Sequence, residues 1–174
     1  MSEGSLQRFE RIILPHLDDA YTLARYLLRD EHDAQDVVQE ASLRALRYFE
    51  GYSGGDARAW LLAIVRNCSR TWRKRHRFDD RTIPFDDAEE ISTSESDAPD
   101  AVAMQASEQA RVQRAIDSLP DEFREVIVLR EVQDLSYREI GDVVGVPIGT
   151  VMSRLARARK RLAVLLQIDA REAS

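Results

Sequence analysis

Apolar residues recur along this chain at intervals of three and four, the spacing that lines one side of a helix. In residues 5–29 the positions Leu17, Ala20, Tyr21, Ala24 and Leu27 or Leu28 follow it, and Pro15 marks a break or restart. Residues 33–49, "DAQDVVQEASLRALRYF", predict a second helix that buries Val37, Val38, Ala41, Ala45, Leu46 and Phe49. "EGYSGGD" follows, and its Gly51, Gly54 and Gly55 make it a loop. Asp56 stands where it can cap a third helix, over 57–77, with a core stripe of Leu61, Ile64 or Val65, Cys68 and Trp72.

The period then stops. Residues 78–100, "FDDRTIPFDDAEEISTSESDAPD", are acidic and aperiodic and read as a flexible linker. Helical spacing resumes over 101–118, and a further helix starts at "LPDEFREVIVLREV" with Pro120 near its first turn. Ser136 and Glu139 fit a capping box. Ile140, Val143 and Val144 point inward from the helix that follows, and Gly145 suits a left-handed C-cap. After the turn "VPIG" a last helix carries Val151, Leu155, Ala158, Leu162 and Leu165 on one stripe. Short helix, glycine turn and second helix make a helix-turn-helix. The expected fold is all-α: a helical domain over 1–78, an acidic linker over 79–100 and a second helical domain over 101–174.

Composition sharpens this picture. Only 7 glycines and 5 prolines interrupt a chain rich in Leu, Ala, Arg and Glu. No apolar run approaches the ~20 residues that span a bilayer, and "MSEGSLQRFE" has no signal-peptide pattern, so the expected location is cytoplasmic, without membrane insertion. A single cysteine, Cys68, rules out an internal disulfide and a cysteine-rich zinc site. His16, His32 and His76 are too scattered to form a ligand pattern, so neither metal nor cofactor is expected. No nucleophile–base pair or phosphate loop is present, which speaks against an enzyme.

The net charge of −6 speaks against nucleic acid only until it is mapped. Residues 79–100 hold nine acids and one base, Arg81, which leaves 24 bases against 22 acids elsewhere. Those bases cluster. From Pro147 to Ile168 there is no acid, and Ser153, Arg154, Arg157, Lys160 and Arg161 fall outside the apolar stripe, as a major-groove helix requires. The alternative is a solvated charged face. On the third helix Arg66, Arg70, Arg73 and Arg77 are spaced i, i+4, i+7 and i+11, and Lys74 and Arg75 thicken the end. Trp60, Trp72 and Asn67 stand close by, a combination suited to backbone contact and stacking on unpaired bases. Core packing is the competing account of the tryptophans, and a cap or core hydrogen bond that of Asn67. On the second helix Asp33, Asp36, Glu40 and Leu43 share a face that fits either solvent or a basic protein partner.

Together these segments resemble an extracytoplasmic-function (ECF) sigma factor, the compact promoter-recognition subunit of bacterial RNA polymerase. "DAQDVVQEASLRALRYF" looks like the family's region 2.2, "ARAWLLAIVRNCSRTWRKRHR" like regions 2.3 to 2.4, and residues 119–162 like region 4. The resemblance implies docking of Asp33, Asp36, Gln39, Glu40 and Leu43 on the β′ clamp helices, with region 4 on the β flap. It implies that the loop at Ser53, Gly54 and Asp56, with Arg58, Arg66, Asn67, Arg70, Arg73 and Lys74, handles the −10 element and a flipped base. It further places Thr150, Met152, Ser153, Arg154, Ala156, Arg157, Lys160 and Arg161 at the −35 major groove. Met152 and Ala156 depart from the common family pattern, so Ser153 and Arg157 are the stronger base-contact candidates. An anti-sigma factor is an expected partner beside core polymerase and promoter DNA. Competing readings are a sigma-like decoy that binds an anti-sigma factor without directing transcription, and a helix-turn-helix repressor.

Overall fold

A computed structural model describes residues 3–79 and 100–172, and every regular element among them is helical. The expected linker lies outside the described residues except at its two ends, which helices absorb: one runs to Asp79 and the next begins at Asp100.

The break expected at Pro15 is real. α1 (Glu3–Ile13) passes through a single 3-10 turn at Leu14–His16 into α2 (Leu17–Leu28), and the missing proline N–H is absorbed at the start of that turn. α2 ends on Arg29, which takes the left-handed conformation (φ 63°) normally left to glycine. α3 (Glu31–Tyr48) follows at once because the Asp30 side chain caps it, accepting from Asp33 N–H at 2.8 Å. α4 (Ala57–Asp79) is capped as expected by Asp56, which accepts from Ala59 N–H at 3.0 Å. α2, α3 and α4 pack on one another, and α1 lies against α4.

Their predicted stripes are the buried ones. Ala20, Ala24, Leu27, Val37, Ala41, Ala45, Phe49, Leu61, Val65 and Cys68 are all inside, joined by Leu23, Ala34 and Leu62. Alanines at the helix contacts let the backbones approach closely. Burial holds the Cys68 thiol above its ordinary pKa, as suits a packing thiol rather than a reactive thiolate.

In the second half α5 (Asp100–Asp117) leads through a short turn to α6 (Asp121–Ile127), and Pro120 sits just before α6 as its N-cap. Arg124 is 1% exposed and serves as an internal clamp for that turn. Its guanidinium donates to the carbonyls of Ile116, Asp117 and Leu119, at and just past the end of α5, where helical N–H partners run out. Burial, with Arg29 and Arg73 adding to it, lowers its pKa to about 10. α6 then widens into one π-helical turn at Val128–Val132, where Gln133 N–H bonds to Val128 O at 3.1 Å.

α7 (Tyr137–Val144) has the full capping box. Glu139 N–H bonds to Ser136 Oγ at 3.2 Å, and Ser136 N–H bonds to Glu139 Oε2 at 2.6 Å. Gly145 closes the helix at φ +71°. α8 (Ile148–Glu172) starts from Pro147, whose carbonyl accepts from Thr150 and Val151 N–H. Val151, Leu155 and Ala158 are buried against α6 and α7, with Leu162 and Leu165 packed more loosely behind them.

The buried apolar residues of both halves belong to one connected cluster. α4 packs on α7, and α2 on α6, so the two halves lie against each other.

Candidate nucleic-acid interface

α3 presents its expected face to solvent. Asp36, Gln39, Glu40 and Leu43 are exposed, Leu43 by 60%, while Asp33 is half-buried near the start of the helix. Glu40 accepts from Arg44 Nε at 2.6 Å, so part of its charge is answered within the helix.

The glycine loop is held from inside by an aromatic group. Tyr52 stacks on Phe49 (5.7 Å between centroids), tilts against Trp60 (5.1 Å) and donates its hydroxyl to Gly55 O at 2.7 Å. Gly54 and Gly55 have φ of +98° and +102°, angles an L side chain rarely adopts, so the turn that exposes Ser53 and Asp56 requires them. Trp60 is thus a packing residue, as is Trp72, which lies partly buried against the core and stacks on His76 at 4.3 Å. Asn67 is exposed in the interior of α4, which excludes both the cap and the core hydrogen bond.

The arginine stripe is not an open surface. Arg70 and Lys74 are exposed. Arg66 is 7% exposed and forms a two-pronged pair with Glu125 of α6, Nε to Oε2 at 2.7 Å and Nη2 to Oε1 at 2.9 Å. Arg73 pairs with Asp121. Arg58 donates to Asp19 Oδ2 at 2.7 Å and to Gln133 O at 2.8 Å, and Gln133 Nε2 in turn donates to Asp19 O at 2.6 Å.

On α8, Met152, Ser153, Ala156, Arg157, Lys160 and Arg161 are exposed and Thr150 is half-buried. Ser153 Oγ donates to Thr150 O at 3.0 Å. Two basic residues depart from the expectation that no acid stands near this helix. Arg154 does not face outward but leans back to Glu125 (3.7 Å) and Glu122 (3.8 Å). Arg159 is held by Glu131 through Nε at 2.9 Å and Nη2 at 2.6 Å, which raises its pKa. The acids absent from residues 147–168 arrive from α6 and the π turn. Glu125 and Gln133, which the sequence pattern did not single out, make polar contacts between the two halves; Glu125 stands with Asp121 and Glu122 as the third carboxylate on α6.

Exposed basic residues therefore remain on two separate helices, Arg70 and Lys74 on α4 and Arg157, Lys160 and Arg161 on α8, in two packed halves. Residues 12–79 match the family model of Sigma-70 region 2, and residues 109–162 that of Sigma-70, region 4. The RNA polymerase sigma-H factor of Pseudomonas aeruginosa is 30% identical over 180 residues, covering 99% of this chain and 93% of the relative. The ECF RNA polymerase sigma-E factor of Haemophilus influenzae is 32% identical over 93% of this chain and 89% of its own length. The chain is an ECF sigma factor. As such it directs RNA polymerase to promoters. The ECF RNA polymerase sigma-E factor of Escherichia coli is 31% identical over 93% of this sigma factor and 88% of its own length. SigE of Mycolicibacterium smegmatis is 34% identical over 92% of this chain, which spans only 62% of that longer relative. Among solved structures, RpoE of Bartonella quintana in complex with the anti-sigma factor NepR has a TM-score of 0.71 at 28% identity, covering 94% of this sigma factor and 99% of that chain. CnrH in complex with the cytosolic domain of CnrY gives 0.65 at 28% identity, covering 94% and 90%. No described helix of this sigma factor is long and apolar enough to cross a membrane.

Proposed function

We propose that this sigma factor docks on core RNA polymerase through the exposed face of α3 and reads a two-part promoter with α4 and α8. Asp36, Gln39, Glu40 and Leu43 meet the β′ clamp helices, with Asp33 at the edge of that contact, and the second half meets the β flap. The Ser53–Asp56 loop and Asn67 take the −10 element. An open glycine loop and the solvent-facing amide of Asn67 suit capture of an unpaired base. Arg157, Ser153, Lys160 and Arg161 enter the −35 major groove, with Thr150, Met152 and Ala156 beside them. The segment 79–100 joins the two readers. Melting draws on the binding energy of unpaired bases, so the sigma factor needs no catalytic group or cofactor of its own. It acts in the cytoplasm, and an anti-sigma factor is a further partner, a reading supported by the complex of the similar RpoE with the anti-sigma factor NepR.

The observation that carries this reading is the coexistence, in one chain, of the exposed Asp36–Leu43 face on α3 with two separate basic helices. Transcription reconstituted with core polymerase and a promoter library tests it. Initiation confined to promoters with shared −35 and −10 sequences is the expected result. Operator binding that needs no polymerase would favour a repressor instead.

A further inference from the structure

Three of the arginines that the family resemblance assigns to DNA already have partners inside the protein. Arg66 and Arg73 of α4 and Arg154 of α8 converge on one side of α6, where Asp121, Glu122 and Glu125 stand. Glu125 lies between the two reading helices, 4% exposed, with its Oε1 2.9 Å from Arg66 and 3.7 Å from Arg154. A carboxylate gripped by a guanidinium fork offers the same planar, two-oxygen anion that a DNA phosphate offers. The position of a phosphate on each helix is therefore filled by an acid of the protein. Arg58 makes a second fastening of the same polar kind, to Asp19 and to the Gln133 carbonyl.

Resting on the promoter-reading function above, we propose that α6 is an internal competitor of DNA. Its carboxylates hold the free protein closed and withhold arginines of both reading helices until polymerase or DNA exchanges for them. The chemistry of the contact suits a latch. An ion pair buried at an interface adds little net stability over an apolar contact, because desolvation cancels most of the attraction. It is nonetheless specific, and its partly exposed members, Asp121 and Glu122, are open to screening by salt. Removing one member is different: a lone buried guanidinium is driven toward water. The isosteric change Glu125→Gln should therefore open the interface, free Arg66 and leave Arg154 only its contact with the exposed Glu122.

The test uses the full chain without polymerase. Binding of a fluorescent single-stranded oligonucleotide and of a duplex is measured by anisotropy, and the radius of gyration by small-angle scattering, for the wild type, E125Q and the double variant R66E/E125R. E125Q is expected to gain about tenfold in affinity for both DNAs, as suits one released phosphate-binding cation and a second that loses one of its two acidic partners, with a larger radius. The exchanged pair should restore the wild-type radius and leave DNA binding weak. A larger radius with unchanged affinity, or an unchanged radius and affinity, overturns the proposal. If E125Q loses its helical circular dichroism, E122Q decides. Glu122 is exposed, its neutralisation leaves Arg154 only the contact with Glu125 and leaves Arg66 untouched, and a smaller gain confined to the duplex is expected, while no gain overturns the proposal. Failure of wild-type promoter-specific transcription would sink the function reading instead, and it leaves the scattering comparison standing.

Discussion

Arg154 and Arg157 stand one turn apart on α8, yet their surroundings separate them. Arg154 is turned back to Glu122 and Glu125, whereas Arg157 is exposed and free to reach a groove. Arg157→Ala should therefore weaken duplex −35 binding by the polymerase holoenzyme by about 1–3 kcal/mol if it grips a guanine edge, measured by competition between matched and mismatched promoters. Equal loss on both sequences would make Arg157 a phosphate contact. Glu139 is informative in another way. The hydroxyl and backbone N–H of Ser136 hold its carboxyl below the usual carboxylate range. A depressed folded-state value means its stabilisation is complete above the unfolded pKa, about 4.3 for glutamate, and is lost as pH falls through the lower folded value. Melting temperatures of the wild type and Glu139→Gln, followed from pH 6 down to pH 3, should converge as acidity rises. Parallel curves would remove Glu139 from the acid response.

At the scale of elements, the helix-turn-helix depends on two glycines for different reasons. A Cβ at Gly141 would meet Val146 O at 2.9 Å, a backbone atom fixed by the turn, whereas Gly145 has open space around it but sits at φ +71°. Gly141→Ala should cost about 1–3 kcal/mol by overpacking and Gly145→Ala roughly 1–2 kcal/mol by backbone strain. Asn, which tolerates the left-handed region, should recover part of the loss at 145 and none at 141, as chemical denaturation can measure. α4 shows the limit of reading a helix alone. Its inner stripe and its arginine spacing are both visible in the sequence, but half of the arginine face turns out to be the seat of the second half of the molecule. The π turn after α6 had no visible signal. It ends a continuous apolar run, and its effect, carrying Gln133 back to Asp19, depends on a neighbour far away in the chain.

For the whole molecule, the proposed division of labour between faces predicts separable losses. Asp36→Ala with Glu40→Ala should reduce the affinity for core polymerase, measured by surface capture, by about tenfold if two rim charges are involved. Circular dichroism and the −35 contacts of the second half should be unchanged, because Asp36 and Glu40 are exposed and lie outside the core. A matching loss in −35 binding by the free protein would show that the two halves do not act independently. What the chain determined by itself is what depends on near neighbours: the helices, their caps at Asp56 and Ser136, the stop at Gly145, the buried stripes and the two matched sigma regions. A 3.6-residue period and a capping side chain act within a few positions and need no knowledge of the rest of the fold. Only the tertiary structure decided which basic residues are available. Arg66 meets Glu125 from 59 positions away, and Arg159 meets Glu131 from 28. A charge is neutralised by whatever folding brings within a few ångströms, and that distance is a property of the packed molecule, not of spacing along the chain.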